Sequence, residues 1–197
     1  IENNVSKEVS GSIETLYLNT IPEVATILSD QILNLKIEAP DFVLSDIDGI
    51  KYKLTDYVGK NVEEDERKVV VLFFNATWCR PGNSYIQEIQ KLHLKNKGQI
   101  HTIRTKVLFF FIDITEATRK VPGFEDPPKA EPYYRDKGIT IPILYDNDGT
   151  VMNDYGTTTI PKLYVVDKNQ FARFSTAGYE KGDSDRLRKV IKMLLTQ

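Results

Sequence analysis

Phe73-Phe-Asn-Ala-Thr-Trp-Cys-Arg-Pro-Gly-Asn83 is the stretch on which the reading of this chain turns. It closes the run Val69-Val-Val-Leu-Phe-Phe-Asn75, which is apolar at odd and even positions alike and rich in β-branched and aromatic residues. Such a run predicts a central strand covered on both faces. Pro81 then sits where a helix can begin, and Ile86, Ile89 and Leu92, with neighbouring Leu94, predict its buried stripe through about Lys97. Cys79 therefore falls between a buried strand and a helix N-terminus, where unpaired backbone N–H groups favour negative charge. A thiol of pKa ~8.5 is only about 3% ionised at neutral pH, whereas thiols placed like this one commonly reach ~7. A helix end supplies roughly 0.3 to 1 kcal/mol, less than one pKa unit, so hydrogen bonds must provide the remainder.

Working outward, Val107–Ile112 predicts a second buried strand, and Lys120–Pro132 a Pro-rich charged loop leading to a short helix at Tyr133–Lys137. Ile141–Tyr145 reads as extended and Thr150–Tyr155 as a helical turn. Leu163–Val166 and Phe171–Thr176 read as strands joined through Asp167–Asn169, and Asp183–Leu195 as a closing amphipathic helix. Upstream, Phe42-Val-Leu and Lys51-Tyr-Lys-Leu flank an Asp46-Ile-Asp-Gly turn, a β-hairpin pattern. Strands alternating with helices and ending in a hairpin imply an α/β fold, a mixed sheet with helices on both faces. Residues 1–38 read as a polar tail followed by a helical extension over Ser12–Asn34, interrupted at Pro22, and residues 39–197 as the domain proper.

The composition excludes more than it selects. Twenty-six basic against 28 acidic residues, net charge -2, create no positive field for nucleic acid. No segment reaches the ~20 apolar residues that span a bilayer. Asp46-x-Asp48-Gly49 and Asp146-x-Asp148-Gly149 resemble the start of a calcium loop. Eleven residues after each first Asp stand Tyr57 and Thr157, not Glu, so both are read as turns. His93 and His101 have no ligand-like partner nearby and are expected at the surface, and no metal is expected. Tyr133 and Tyr134 are read as core residues. With one cysteine the chain forms no internal disulfide.

Trp78-Cys79-Arg80-Pro81 resembles the Trp-Cys-x-Pro-Cys signature of thioredoxins, and Thr159-Ile160-Pro161, followed by Lys162-Leu-Tyr-Val-Val-Asp167, resembles their cis-proline loop and next strand. Ala39-Pro40-Asp41-Phe42 through Asp48-Gly49, with Leu54-x-Asp56-Tyr-x-Gly-Lys60, is similar to the opening segment of extracytoplasmic ResA/TlpA-type proteins and of the redoxin (AhpC/TSA) group. The resemblance covers about residues 39 to 197. It implies a thioredoxin-like fold without cofactor, Cys79 exposed as the reactive thiol, and a groove lined by Trp78, Arg80, Pro81, Gly82, Ile160 and cis-Pro161. It also implies an extracytoplasmic location, an N-terminal segment that could tether the domain to a membrane, a monomer or weak dimer, and partners that are protein thiols or disulfides, or a small thiol as reductant.

The departures from that pattern matter as much. Gly82 stands at the place of the second cysteine, which blocks the dithiol cycle, so a mixed disulfide on Cys79 is expected to persist. The acid six residues before the thiol is here Phe73, and the Glu six residues after it is Tyr85. The Thr and Pro that a peroxiredoxin carries three and seven residues before its cysteine are Ala76 and Leu72. Three readings stay open: a single-thiol oxidoreductase, a redox-inactive binding module using the same groove, and a thiol-dependent one-cysteine peroxidase.

Overall fold

A computed structural model describes residues 37–98, 106–119, 123 and 126–197. The helical reading of Ser12–Asn34 and the surface reading of His101 lie outside the described residues. The apolar run forms β4 (Val69–Asn75), buried at all seven positions. It leads through a four-residue turn into α1 (Arg80–Gly98), and β5 (Val107–Asp113) pairs with β4 in parallel, Asn75 opposite Asp113. A short helix α2 (Thr115–Thr118), absent from the sequence reading, follows at once. The next elements are α3 (Ala130–Arg135), β6 (Ile143–Tyr145), α4 (Thr150–Asp154), β7 (Lys162–Val166), β8 (Phe171–Ala177) and α5 (Asp183–Leu195). Upstream lie β1 (Ile37–Glu38), β2 (Val43–Ser45) and β3 (Lys51–Lys53). β1 pairs with β8, so the sheet recruits residues just ahead of position 39.

The eight strands run β1-β8-β7-β4-β5-β6-β2-β3, mixed parallel and antiparallel, with β4 in the interior. Alternation along β4 divides the core. Val69, Val71 and Phe73 meet Ile86 and Ile89 of α1, Leu187 and Ile191 of α5, and Tyr134 of α3. Val70, Leu72 and Phe74 meet Leu54, Val151, Tyr155 and Tyr164 on the other face. Each such side chain contributes roughly 1.5 to 3 kcal/mol on burial, which is why a strand with no polar face must occupy the middle.

Two local expectations are corrected. Leu94 is exposed, at 49% of its surface, since it falls outside the stripe of α1 that faces the sheet. His93 is buried, its ring edge-on to Phe109 at 5.6 Å, because its position on α1 turns it toward β5. Both Asp-Gly segments are turns. Asp46 Oδ1 accepts from the amides of Asp48 and Ile50, and the carboxylate of Asp146 accepts from Val151 and Met152 at the start of α4.

Candidate active site

β4 ends at Asn75, and the chain turns through Ala76, Thr77 and Trp78 to Cys79, whose amide donates to the Ala76 carbonyl at 3.0 Å. Three neighbours fasten this turn. The Thr77 amide donates to Thr115 Oγ1 (3.0 Å), Thr77 Oγ1 to the Pro128 carbonyl (2.9 Å), and Trp78 Nε1 to Thr118 Oγ1 (2.9 Å). The unpredicted helix α2 thus supplies two of the anchors. Arg80 opens α1 and is exposed, as is Pro81, whose missing N–H costs little in a first turn that has no carbonyl to serve. The Gly82 amide donates to the Cys79 sulfur.

That hydrogen bond is the local stabilisation of negative charge that the helix start predicts, but it is outweighed. Cys79 is buried, with 5% of its surface exposed, and burial pushes its thiol above the ordinary value while the Gly82 N–H only partly offsets the shift. The expectation of an exposed thiol with lowered pKa is therefore corrected: loss of hydration disfavours the thiolate more than one amide dipole favours it.

Pro161 precedes β7, and its bond to Ile160 is cis. β7 runs antiparallel to β4 with Lys162 opposite Phe74, so register carries the Ile160–Pro161 loop to the same end of the sheet as the Cys79 turn. Trp78 and Ile160, both half-buried, pack against the same hydrophobic cluster.

Several residues at this end escaped the sequence reading. Asn75 is fully buried, and its Nδ2 donates to Tyr134 Oη and to Asn83 Oδ1, each at 3.4 Å. Asn83 Nδ2 donates to Tyr133 Oη at 2.9 Å and to the Thr77 carbonyl at 3.0 Å. Of the two tyrosines read as core, Tyr134 is fully buried and Tyr133 is half-buried against the same cluster; their hydroxyls reach the end of β4 and the start of α1. Asp113 accepts from the Thr115 amide (3.1 Å) and from Thr115 Oγ1 (2.8 Å), and burial pushes its carboxyl up to about 7. Lys162 is 3% exposed, and burial lowers its ammonium to about 8; its Nζ lies 5.2 Å from the centre of the Tyr164 ring. The one polar residue in an apolar strand and the lysine directly after Pro161 were the available signals. Among the described residues no group of histidines, cysteines and carboxylates could hold a metal ion, and no helix is long and apolar enough to cross a membrane.

Residues 36–175 match the AhpC/TSA family. The thiol-disulfide oxidoreductase ResA of Geobacillus kaustophilus is 30% identical over 158 residues, 78% of this chain and 76% of that protein. ResA of Geobacillus thermodenitrificans is 33% identical over 134 residues, and the match spans 66% of this chain and 62% of that relative's length. Among solved structures, the exposed lipoprotein thioredoxin Etrx1 of Streptococcus pneumoniae superposes with a TM-score of 0.57 at 22% identity, over 79% of this chain and 100% of that one. StoA of Bacillus subtilis gives 0.55 at 16% identity, over 77% and 96%. The match across residues 36–175 and the superposition on these structures lead to one assignment: this chain has a thioredoxin-like fold and belongs to the AhpC/TSA family.

Proposed function

We propose that the protein carries out thiol–disulfide exchange through the single thiol of Cys79, acting on protein thiols or disulfides outside the cytoplasm, with the segment ahead of residue 39 serving as a tether. The observation that carries this reading is the placement of Cys79 directly ahead of α1, at the same end of the sheet as the Ile160–Pro161 loop. Similarity to two ResA proteins supports the reaction class.

The chemistry follows from thiol pKa. In the exchange step the Cys79 thiolate forms a bond to one sulfur of a partner disulfide, the partner's S–S bond breaks, and its second sulfur leaves as a thiolate that takes a proton. A thiol pushed up by burial is seldom ionised at neutral pH, but once joined in a mixed disulfide it is a poor leaving group. Such a site reacts slowly and holds what it captures. Trp78, Arg80, Pro81, Ile160 and Pro161 line the groove in this reading, and Gly82 stands where a resolving sulfur would be. Burial of Cys79 favours a second reading, a groove that binds a partner without redox work.

Capture of a disulfide-bearing peptide separates the two. Under the first reading the full chain forms a covalent adduct reversed by dithiothreitol, and Cys79→Ser forms none. Binding that is non-covalent and unchanged in Cys79→Ser would reject the exchange reaction.

A further inference from the structure

Gly82 lies in the first turn of α1, and the place of the side chain it lacks is already filled. A Cβ built on Gly82 would lie 1.9 Å from Asn75 Oδ1, 2.4 Å from Asn75 Cγ and 2.7 Å from Asn75 Nδ2, all closer than non-bonded carbon approaches. Asn75 has little freedom to retreat. It is fully buried at the end of β4, and Tyr134 and Asn83 hold its Nδ2. Its Oδ1, the atom aimed at Gly82, is buried and meets no hydrogen-bond donor among the described residues. An unmet buried acceptor is destabilising, so packing at this spot is not what the amide optimises.

We propose that Asn75 is the specificity-determining residue that makes this a one-thiol site: its carboxamide occupies the volume of any side chain at position 82, so a mixed disulfide on Cys79 is resolved by a low-molecular-weight thiol from solution. The proposal rests on the single-thiol reading above and names what enforces it. In the resolving step the incoming thiol gives up its proton and its sulfur bonds to the partner's sulfur. The Cys79–partner S–S bond breaks, its electron pair leaves on Cys79, and Cys79 takes up a proton. The partner departs disulfide-bonded to the small thiol, and Cys79 is again reduced. Gly82 and Asn75 are thereby a matched pair, each requiring the other.

The test places a second sulfur at position 82 with and without the amide. Gly82→Cys and the double variant Asn75→Ala/Gly82→Cys are made in the full chain, oxidised with glutathione disulfide, and analysed by mass spectrometry and thermal unfolding. Gly82→Cys alone is expected to lower the unfolding midpoint by roughly 3 to 10 °C, as overpacking does in a chain of this size. It is also expected to leave Cys79 glutathionylated. The double variant is expected to regain at least half of that loss and to close a bond between positions 79 and 82, two hydrogens lighter and without free thiol. Gly82→Cys as stable as the parent and closing that bond as completely as the double variant would overturn the proposal. Should Gly82→Cys not fold, Gly82→Ala against Asn75→Ala/Gly82→Ala decides: rescue by the second change supports it, and simple addition of two losses overturns it. Lack of glutathionylation of the parent chain would reject the exchange reaction instead, and the stability comparison would still stand.

Discussion

The two ends of the sheet handle buried polar groups in opposite ways. At the end where β4 begins, Asp167 and Arg173 form a buried ion pair at 2.6 Å, and the other carboxylate oxygen of Asp167 accepts from the amides of Asn169 and Phe171. Asp167 also stands in the wall of a cleft of about 530 Å³. At the end where β4 finishes, Asn75 Oδ1 has no donor among the described residues, Asp113 is pushed up to about 7, Lys162 is lowered to about 8, and Cys79 is raised. Both sets are equally dry. What differs is charge pairing: Asp167 and Arg173 pair with each other, whereas among the described residues neither Asp113 nor Lys162 forms an ion pair. Poorly compensated burial is characteristic of sites arranged for chemistry, so the candidate site belongs at the finishing end of β4 and not at the cleft.

The largest effect should come from breaking the matched end. Asp167→Ala removes the carboxylate paired with the buried Arg173 guanidinium and should cost about 3 to 5 kcal/mol, a fall of roughly 6 to 20 °C in the unfolding midpoint. Calorimetry measures it, and a fall below about 2 °C would remove the contrast between the ends.

Asp113 comes next. Its folded pKa lies above its unfolded one, so between pH about 4 and about 7 the unfolded chain releases a proton that the fold retains. Stability then falls as pH rises through that window, by on the order of a few kcal/mol. Asp113→Asn should flatten the fall. Parallel unfolding curves for parent and variant across that range would show that the carboxyl is not held protonated.

Lys162 has the reverse sign. Its ammonium is lowered, so between pH about 8 and 10.5 the unfolded chain binds the proton more tightly and stability rises with pH. Lys162→Met should stabilise the chain at pH 7 by roughly 1 to 3 kcal/mol, with the gain fading by pH 10.5. Denaturant titrations at the two pH values decide it, and a loss at pH 7 would mean that the Tyr164 ring compensates the charge. Smallest is Trp78→Phe, which removes the bond to Thr118 and should cost about 0.5 to 1.5 kcal/mol; an unchanged midpoint in thermal unfolding would show that the turn does not lean on α2.

The fold was legible where the signal is local. An apolar run without a polar face names a central strand, Pro81 marks the start of α1, and the periodicity over Asp183–Leu195 gives α5 with the same bounds. The site was legible as a turn and a loop, since Cys79 and Pro161 each sit in a recognisable motif. What fastens the turn beside the thiol was not legible. Pro128, Tyr133 and Tyr134 reach the turn, the start of α1 and the end of β4 from about fifty residues downstream, and α2 is too short to show a period. The fit of Asn75 to Gly82 depends on strand register and on a distance of 1.9 Å that no spacing in sequence encodes. His93 went astray for a related reason, because its burial depends on where β5 lies beneath α1.

Reaction of the folded chain with glutathione disulfide, followed by mass spectrometry from pH 6 to 10, tests the central claim most directly. One glutathionyl group is expected on Cys79, with a rate still climbing above pH 9 because burial raises the thiol, and with the adduct persisting until a small thiol is added. A folded chain that stays unmodified at every pH while the unfolded chain is modified readily would contradict the account.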